Sequence, residues 1–360
     1  MILWTNGQGL IDCDSYWFVP AELPILCEYN LNEGKIIRSV FLNNYTAQIG
    51  FHYALEKINN KIVLIPARDM NIYVYNLEDD TLTALPMEGN EDDSEKYVCC
   101  AKYGENIYMF PRSRATIIRF NVETMKIDYI NSKCMENEIT DNKLSTNFST
   151  ILNNKVYIVM LYSNRICVFD MEKETEKVVE IGDKDMRIKS ICCNPNGQIV
   201  WMNNIGEIIV ANSELRIIEK RTVNENVIYS GIVSLESGYL LFPYDKNQSI
   251  CNYNYDKNEK SSIDYQIPEA EWVKNWQYTS FGQLSLDEEK IAVFNLIKKK
   301  LFVIQKNSIE ISEKSIELKE YNNNLSSKLI GFKIKKGQNP IKETQEEELK
   351  DFINYINEII

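Results

Sequence analysis

The chain has 360 residues, of which 44% are hydrophobic, and it carries 40 Lys and Arg against 52 Asp and Glu, for a net charge of −12. A chain of this length can bury a large core, and its excess negative charge argues against nucleic acid and against an anionic membrane surface as partners. No stretch approaches the ~18 apolar residues of a membrane-spanning helix, and the first residues lack the pattern of a signal peptide, so we expect a cytoplasmic protein.

Two apolar strands recur seven times along the chain, at a period of about 41–52 residues. The first strand of each cycle stops at Pro20, Pro66, Pro111, Met160, Met202, Pro243 and Asn295. The second strand ends ten or eleven residues later, at Asn30, Asn76, Asn121, Asp170, Asn212, Asn254 and Gln305. Short strands at a fixed period of this size are typical of a β-propeller.

The second cycle shows the expected blade. Strand b is 61–65, a break at 66–70 follows it, and strand c is 71–76. A polar turn then leads to an outer strand d at 81–85, while 48–55 supplies the inner strand a. The sequence therefore predicts an all-β, seven-bladed propeller of four-stranded antiparallel blades over residues 1–318. Residues 1–6 are a candidate extra outer strand that closes the ring.

The pattern changes in residues 319–360, which we interpret as a C-terminal extension. Thr344 and Glu347 form a capping box, and this predicts a helix at about 344–360. The apolar side chains recur at three- and four-residue spacing on one face, at Leu349, Phe352, Ile353, Ile356 and Ile360. Because a lone exposed helix of this length is marginal in water, we expect this face to dock on the chain itself or on a partner.

Two stretches, 62–85 and 106–130, resemble kelch repeats in their order of hydrophobic strand, turn, hydrophobic and tyrosine-bearing strand, Asn or Asp turn, and final strand. The resemblance covers about residues 8 to 318 and implies a propeller. Kelch repeats also carry a Gly-Gly pair after strand b and a Trp near strand d. In this chain Pro occupies the glycine slot in four cycles, and Leu82 or Ile127 lies near the tryptophan position.

The usual signatures of catalysis and metal binding are missing. The single histidine, His52, excludes a His–His metal site within one chain and most mechanisms built on histidine pairs. The nine cysteines fall mostly in apolar strand patterns and show neither a disulfide framework nor paired zinc spacing. Asp12 and Asp14 are a candidate carboxylate pair, but the interpretation that we favour is a solvated strand start. We therefore expect no catalytic residue, no metal and no cofactor.

The nine arginines have an uneven distribution. Arg68, Arg112, Arg114 and Arg165 fall in the short loops between strands b and c of three consecutive cycles. The equivalent slots of cycles six and seven hold Tyr244, Lys246 and Lys298. In a propeller these b–c loops share one face, and we expect Tyr162 and Trp276 near it. Guanidinium groups suit carboxylates and phosphates, and rigid scaffolds commonly carry function on such loops.

These observations favour a non-catalytic scaffold that holds a protein or peptide partner, with acidic or polar groups, on the b–c loop face. Two alternatives stay open. One is an enzyme that acts on a small anionic or carbohydrate substrate at the central mouth of the propeller. The other is a subunit of a larger assembly that docks through the C-terminal helix, at Leu349, Phe352, Ile353 and Ile356. The oligomeric state does not follow from the sequence.

Overall fold

The computed structural model describes residues 3, 5, 7–21, 23–43, 52–88, 96–112, 114–136, 145–160, 163–224, 227–269, 271–274 and 279–318. In this part of the chain, 28 strands form seven antiparallel sheets, each built from four consecutive strands. The sheets are the blades of a propeller that occupies the compact unit Ile2–Glu317. The prediction of an all-β fold with seven four-stranded blades is therefore confirmed.

Each blade runs in the order a, b, c, d. Blade 1 contains β1 (Leu10–Asp12), β2 (Ser15–Phe18), β3 (Ile25–Asn30) and β4 (Lys35–Phe41), and blade 2 contains β5 (His52–Ile58), β6 (Lys61–Pro66), β7 (Asn71–Asn76) and β8 (Thr81–Pro86). Blade 3 contains β9 (Tyr97–Tyr103), β10 (Asn106–Pro111), β11 (Thr116–Asn121) and β12 (Lys126–Asn131), and blade 4 contains β13 (Ser145–Leu152), β14 (Lys155–Met160), β15 (Arg165–Asp170) and β16 (Thr175–Glu180).

Blade 5 contains β17 (Ile188–Cys193), β18 (Ile199–Asn203), β19 (Glu207–Ala211) and β20 (Ile217–Thr222). Blade 6 contains β21 (Tyr229–Leu235), β22 (Gly238–Pro243), β23 (Ile250–Asn254) and β24 (Glu259–Ile263). Blade 7 contains β25 (Ser285–Leu286), β26 (Lys290–Asn295), β27 (Lys300–Gln305) and β28 (Ile311–Lys314). Two single-turn helices, α1 (Lys133–Glu136) and α2 (Glu271–Lys274), lie in the connections that lead to blades 4 and 7.

The inner strands form a closed ring. Each of β5, β9, β13 and β17 contacts the next inner strand, and β1 contacts both β5 and β25. A shared apolar cluster that includes Val233, Phe242, Phe281 and Phe302 joins blades 6 and 7. The ring buries both faces of strands b and c, which explains why these strands read as continuous apolar runs rather than as alternating ones.

Asn and Asp at the ends of strands c fix the turns that follow. The side-chain oxygen of Asn30 accepts hydrogen bonds from the backbone N–H groups of Asn32 and Glu33 at 3.0 and 2.7 Å. Asp170 accepts equivalent bonds from Glu172 and Lys173 at 3.1 Å each. These bonds from backbone N–H groups to the side-chain oxygen hold the turn, and they explain why Asn or Asp recurs at the ends of strands c.

Three arginines tie a blade to its neighbour. Arg38 of β4 donates to the Tyr75 hydroxyl and the Asp80 carboxylate of blade 2, at 2.8 and 2.7 Å. Arg119 of β11 donates to Glu174 of blade 4 at 2.6 Å. The guanidinium carbon of Arg221 lies 4.0 Å from the centre of the Tyr255 ring in blade 6. Arginines outside the b–c slots therefore hold the ring together.

The expected helix at about 344–360 and the rest of the extension 319–360 lie outside the described residues, so this expectation stays a prediction. The ring-closing role of residues 1–6 also stays a prediction. One described contact bears on it: the N–H of Leu3 donates to the carbonyl of Ile316, just beyond β28, at 2.8 Å.

Candidate functional site: the face of the b–c loops

Three of the predicted arginines lie in the loops that join strands b and c. Arg68 lies between β6 and β7, and Arg112 and Arg114 lie between β10 and β11. Arg165 is the first residue of β15, directly after the equivalent loop of blade 4. Because every blade runs in the same direction around the axis, these loops emerge on one face. All four side chains are half-buried rather than fully exposed.

Lys96 connects the loops of blades 2 and 3. Its backbone N–H donates to the carbonyl of Ala67 at 2.6 Å, and its own carbonyl accepts from the N–H of Arg112 at 2.7 Å. The ammonium group donates to the carbonyl of Arg68 at 3.3 Å. Lys96 itself is fully buried, with 0% exposure. The structure thus brings Arg68, Lys96 and Arg112 together at one junction between blades.

Asp69 makes the loop of blade 2 rigid. Its Oδ1 accepts hydrogen bonds from the backbone N–H groups of Met70 and Asn71, at 2.6 and 3.1 Å. The side-chain amide of Asn71 donates to the same oxygen at 3.2 Å. Asp69 is fully buried, as is Tyr73, whose hydroxyl donates to the carbonyl of Asn43 at 2.7 Å. A loop held in this way keeps the neighbouring Arg68 in a defined place.

Arg114 lies close to Tyr97, the first residue of β9. Burial raises the pKa of the Tyr97 hydroxyl, and the positive charge of Arg114 opposes that rise. Arg68, Lys96, Arg112 and Arg114 form what we call the basic junction. Guanidinium groups present planar donors that match carboxylate and phosphate geometry, and a buried ammonium adds a point charge. The junction therefore gathers the residue types from which anion sites are built.

The remaining predicted site residues lie in different surroundings. The ammonium of Lys246 donates to the carbonyls of Val273 and Lys274 at the end of α2. Lys298 pairs with Glu313 of β28 and lies over the Phe302 ring. Tyr244 is 42% exposed in the b–c loop of blade 6. Tyr162 and Trp276 lie outside the described residues.

A cavity of about 640 Å³ lies along the propeller axis. Its described lining contains no Asp, Glu or His, and Lys306 is the charged residue in it. The candidate carboxylate pair is divided: Asp12 bonds to Lys57 of blade 2, and Asp14 lies 3.5 Å from Lys290 of blade 7. Elsewhere in the described ranges, no three His, Cys, Asp or Glu side chains come together to hold a metal ion.

Sequence reasoning found the arginines but not Lys96. The signal available was weak: a single lysine follows an acidic stretch at 88–95 and stands directly before the first strand of blade 3. Its position between two b–c loops depends on how blades 2 and 3 pack against each other. The sequence of either repeat alone does not predict this packing. No helix in the described part of the chain is both long enough and apolar enough to cross a membrane.

The fold is shared with several solved structures. Virginiamycin B lyase from Staphylococcus aureus, solved with quinupristin, is 15% identical with a TM-score of 0.62, over 81% of this chain and 91% of that one. A streptogramin B lyase structure is 12% identical with a TM-score of 0.60, over 87% and 94%. PorZ, a component of the type-IX secretion system of Porphyromonas gingivalis, is 9% identical with a TM-score of 0.58, over 89% of this chain and 39% of that one.

At these identities the likeness shows the propeller fold alone. No protein-family model matches the sequence, and no curated protein matches it. The resemblance to kelch repeats therefore stays at the level of the strand and turn pattern. This chain is similar in architecture to enzymes and to a secretion component alike, and its function has to be argued from its own residues.

Proposed function

We propose that this propeller is a binding scaffold that holds an acidic segment of a partner protein on the face of its b–c loops. The observation that carries the proposal is the basic junction, in which Arg68, Lys96, Arg112 and Arg114 come together between blades 2 and 3. The chain as a whole has a net charge of −12, so a basic junction on rigid loops is a local exception that favours one kind of partner.

Two further features support a scaffold. The b–c loop of blade 2 is short and is fixed by the buried Asp69, so a partner meets a preformed surface there and little ordering cost falls on this loop. In this proposal the chain works in the cytoplasm. The burial of Cys27, Cys99 and Cys167 as small apolar side chains is compatible with a reducing compartment.

The test is a double substitution, Arg112→Ala with Arg114→Ala, measured against a library of Asp- and Glu-rich peptides by fluorescence anisotropy. We expect peptide binding by the native chain to weaken with added salt and the double variant to lose at least about tenfold in affinity. Because both side chains are half-buried, the double variant should lose about 1 kcal/mol of stability, so affinities are compared at a temperature where both proteins are fully folded.

The matched control is Arg216→Ala with Lys220→Ala, which removes two exposed cations from the c–d turn and outer strand of blade 5. This control should bind the same peptides as the native chain. Equal losses in both double variants would mean that only the total charge matters, and an unchanged affinity in the Arg112 and Arg114 variant would refute the proposed site.

A further inference from the structure

The axial cavity is a second concave feature, separate from the basic junction. It extends along the inner strands of blades 4 to 7, from Ser230 and Thr279 at the b–c loop end to Leu286 and Lys306 at the opposite end. Its volume of about 640 Å³ falls within the range of about 300–1,000 Å³ that is typical of small-molecule sites. The cavity is therefore large enough for a small organic ligand.

The polar groups that line this cavity are almost all uncharged hydroxyls and amides. They include those of Gln8, Ser149, Thr150, Ser190, Ser230 and Gln283. The exception is Lys306, whose ammonium group already donates to the carbonyl of Asp287 and whose pKa is lowered by burial. No carboxylate in the described lining can balance a cation, so the lining is suited to a neutral ligand.

Two lining residues carry buried polar atoms without a hydrogen-bond partner among the described residues. They are the hydroxyl oxygen of Ser190, a residue only 1% exposed, and the amide nitrogen of Gln283. An unsatisfied buried donor or acceptor is costly, so each one calls for an explanation in a native fold. Both atoms lie just beneath the lining surface, so a bound molecule with hydroxyl groups satisfies them once the two side chains turn toward the cavity. A hydroxyl then accepts from the Gln283 amide and either donates to or accepts from Ser190.

Apolar side chains lie between these polar groups, among them Phe148, Ile232, Val233 and Leu284. A suitable ligand therefore has hydroxyl groups at its edges and apolar C–H faces between them. We propose that the axial cavity is a binding site for a neutral saccharide of one or two rings. This inference does not depend on the proposed peptide binding at the face of the b–c loops. Substitutions at the basic junction should leave saccharide binding unchanged.

The experiment is isothermal titration of the full chain with maltose, cellobiose, lactose and N,N′-diacetylchitobiose. We expect at least one of them to bind at millimolar concentration or better. Ser190→Ala and Gln283→Leu should each weaken that binding by about tenfold, the effect of losing one good hydrogen bond in a closed site. Neither change removes a hydrogen bond that the folded protein makes at these atoms, so neither variant should melt at a lower temperature than the native chain.

Ser261→Ala is the matched control, since it removes an exposed hydroxyl from the outer strand β24. It should bind the same saccharide with native affinity. Glucuronate, a charged sugar, should bind more weakly than its neutral counterpart. If none of the four saccharides binds, or if binding persists unchanged in both Ser190→Ala and Gln283→Leu, the proposal is wrong.

Discussion

Arg38 shows how a single residue contributes to the ring. Its guanidinium donates to Tyr75 and Asp80 of blade 2, lies 3.3 Å from Glu28 of its own blade and stands 5.8 Å from the Trp17 ring centre. Its guanidinium carbon also lies 5.9 Å from the Tyr75 ring centre, so Arg38 combines an ion pair with a cation–π contact across the seam between blades 1 and 2. Partly exposed ion pairs contribute little individually, but a network of this kind contributes more.

We expect Arg38→Ala to lower the free energy of unfolding by about 1–2 kcal/mol, as measured by urea denaturation. Arg216→Ala, an exposed arginine on the c–d turn of blade 5, is the control and should cost less than about 0.5 kcal/mol. Equal effects of the two substitutions would show that the seam contacts of Arg38 add nothing to stability.

The cysteines differ sharply in burial. Cys99 is 4% exposed and burial raises the pKa of its thiol to about 12, whereas Cys13 is exposed at the turn between β1 and β2. Since the thiolate is the nucleophile, we expect iodoacetamide at mildly alkaline pH to label Cys13 quickly and Cys99 only after unfolding. Peptide mass spectrometry at successive times would measure this, and rapid labelling of Cys99 in the native protein would contradict the packing described above.

At the scale of single residues, the sequence predicted several candidate site residues. It did not predict the hydrogen-bond and ion-pair partners of those residues. The slot of Arg68, Arg112 and Arg114 is readable because it is tied to the repeat. The structural roles of Lys246 and Lys298 were not readable, because their partners lie on α2 and on β28. Lys96 was missed for the same reason, since contacts between blades have no fixed spacing in the sequence.

Among the elements, the hairpin of β22 and β23 depends on a glycine. A Cβ atom at Gly238 would lie 2.0 Å from the carbonyl oxygen of Tyr253 and 2.9 Å from the backbone nitrogen of Tyr255. Both are main-chain atoms of the adjacent strand or of the turn after it, so relief requires the strands to separate. We expect Gly238→Ala to destabilise the protein by about 3 kcal/mol, the upper end of over-packing effects.

Gly104 provides the comparison for this substitution. It has a φ of +57° in the turn between β9 and β10, and a Cβ there would meet no atom within 4 Å. Gly104→Ala should therefore lower the free energy of unfolding by only about 1–2 kcal/mol, the cost of placing a residue with a side chain in the left-handed conformation. Thermal unfolding of both variants separates the two effects, and a smaller loss for Gly238→Ala than for Gly104→Ala would contradict the steric argument.

Strands b and c were the most predictable elements, because both of their faces are buried and each ends at a residue with a mechanical role. Strands b end at Pro66, Pro111 and Pro243, as expected from the sequence. The single-turn helices α1 and α2 were not predicted, because four residues carry no helical period. The left-handed backbone conformation at the ends of the c–d turns was also not predictable. Asp80, Met125 and Glu174 adopt it at positions where glycine is usual.

The whole molecule should lose stability in alkaline solution. Burial raises the pKa of Tyr16, Tyr108, Tyr157, Tyr239 and Tyr265 to about 12. Burial also raises the pKa of several thiols, among them Cys27 and Cys192. The unfolded chain releases these protons near the ordinary values of about 8.5 for cysteine and about 10 for tyrosine, while the native protein retains them.

The unfolded state therefore binds fewer protons than the native state above about pH 9, and the free energy of unfolding must fall as pH rises through this range. We expect a level melting temperature between pH 7 and about 8.5 and a progressive decline above it. Tyr16→Phe, which removes one fully buried phenol, should make the decline above pH 10 shallower. A melting temperature that rises or stays level up to pH 11 would refute this account.

The closure of the ring makes the stability of the seven blades interdependent. Phe294 of β26 is 1% exposed, and its ring centre lies 6.2 Å from that of Tyr16 and 5.7 Å from that of Phe18, both on β2. These three rings form the seam between the last blade and the first. The repeat pattern predicted a closed ring, but it did not predict these contacts. Because a single blade cannot bury its own faces, loss of the seam exposes apolar surface on two blades at once.

We expect Phe294→Ala to cost about 3–5 kcal/mol and to lower the melting temperature of the whole propeller in one cooperative transition. Phe294→Leu keeps most of the apolar volume and should cost clearly less. Differential scanning calorimetry measures cooperativity, and hydrogen exchange of amides in β26 and, on the far side of the ring, in β14 locates the loss. If blade 7 melts separately while β14 keeps native protection, the ring is not one cooperative unit, and the blade 1 to blade 7 seam does not control its stability.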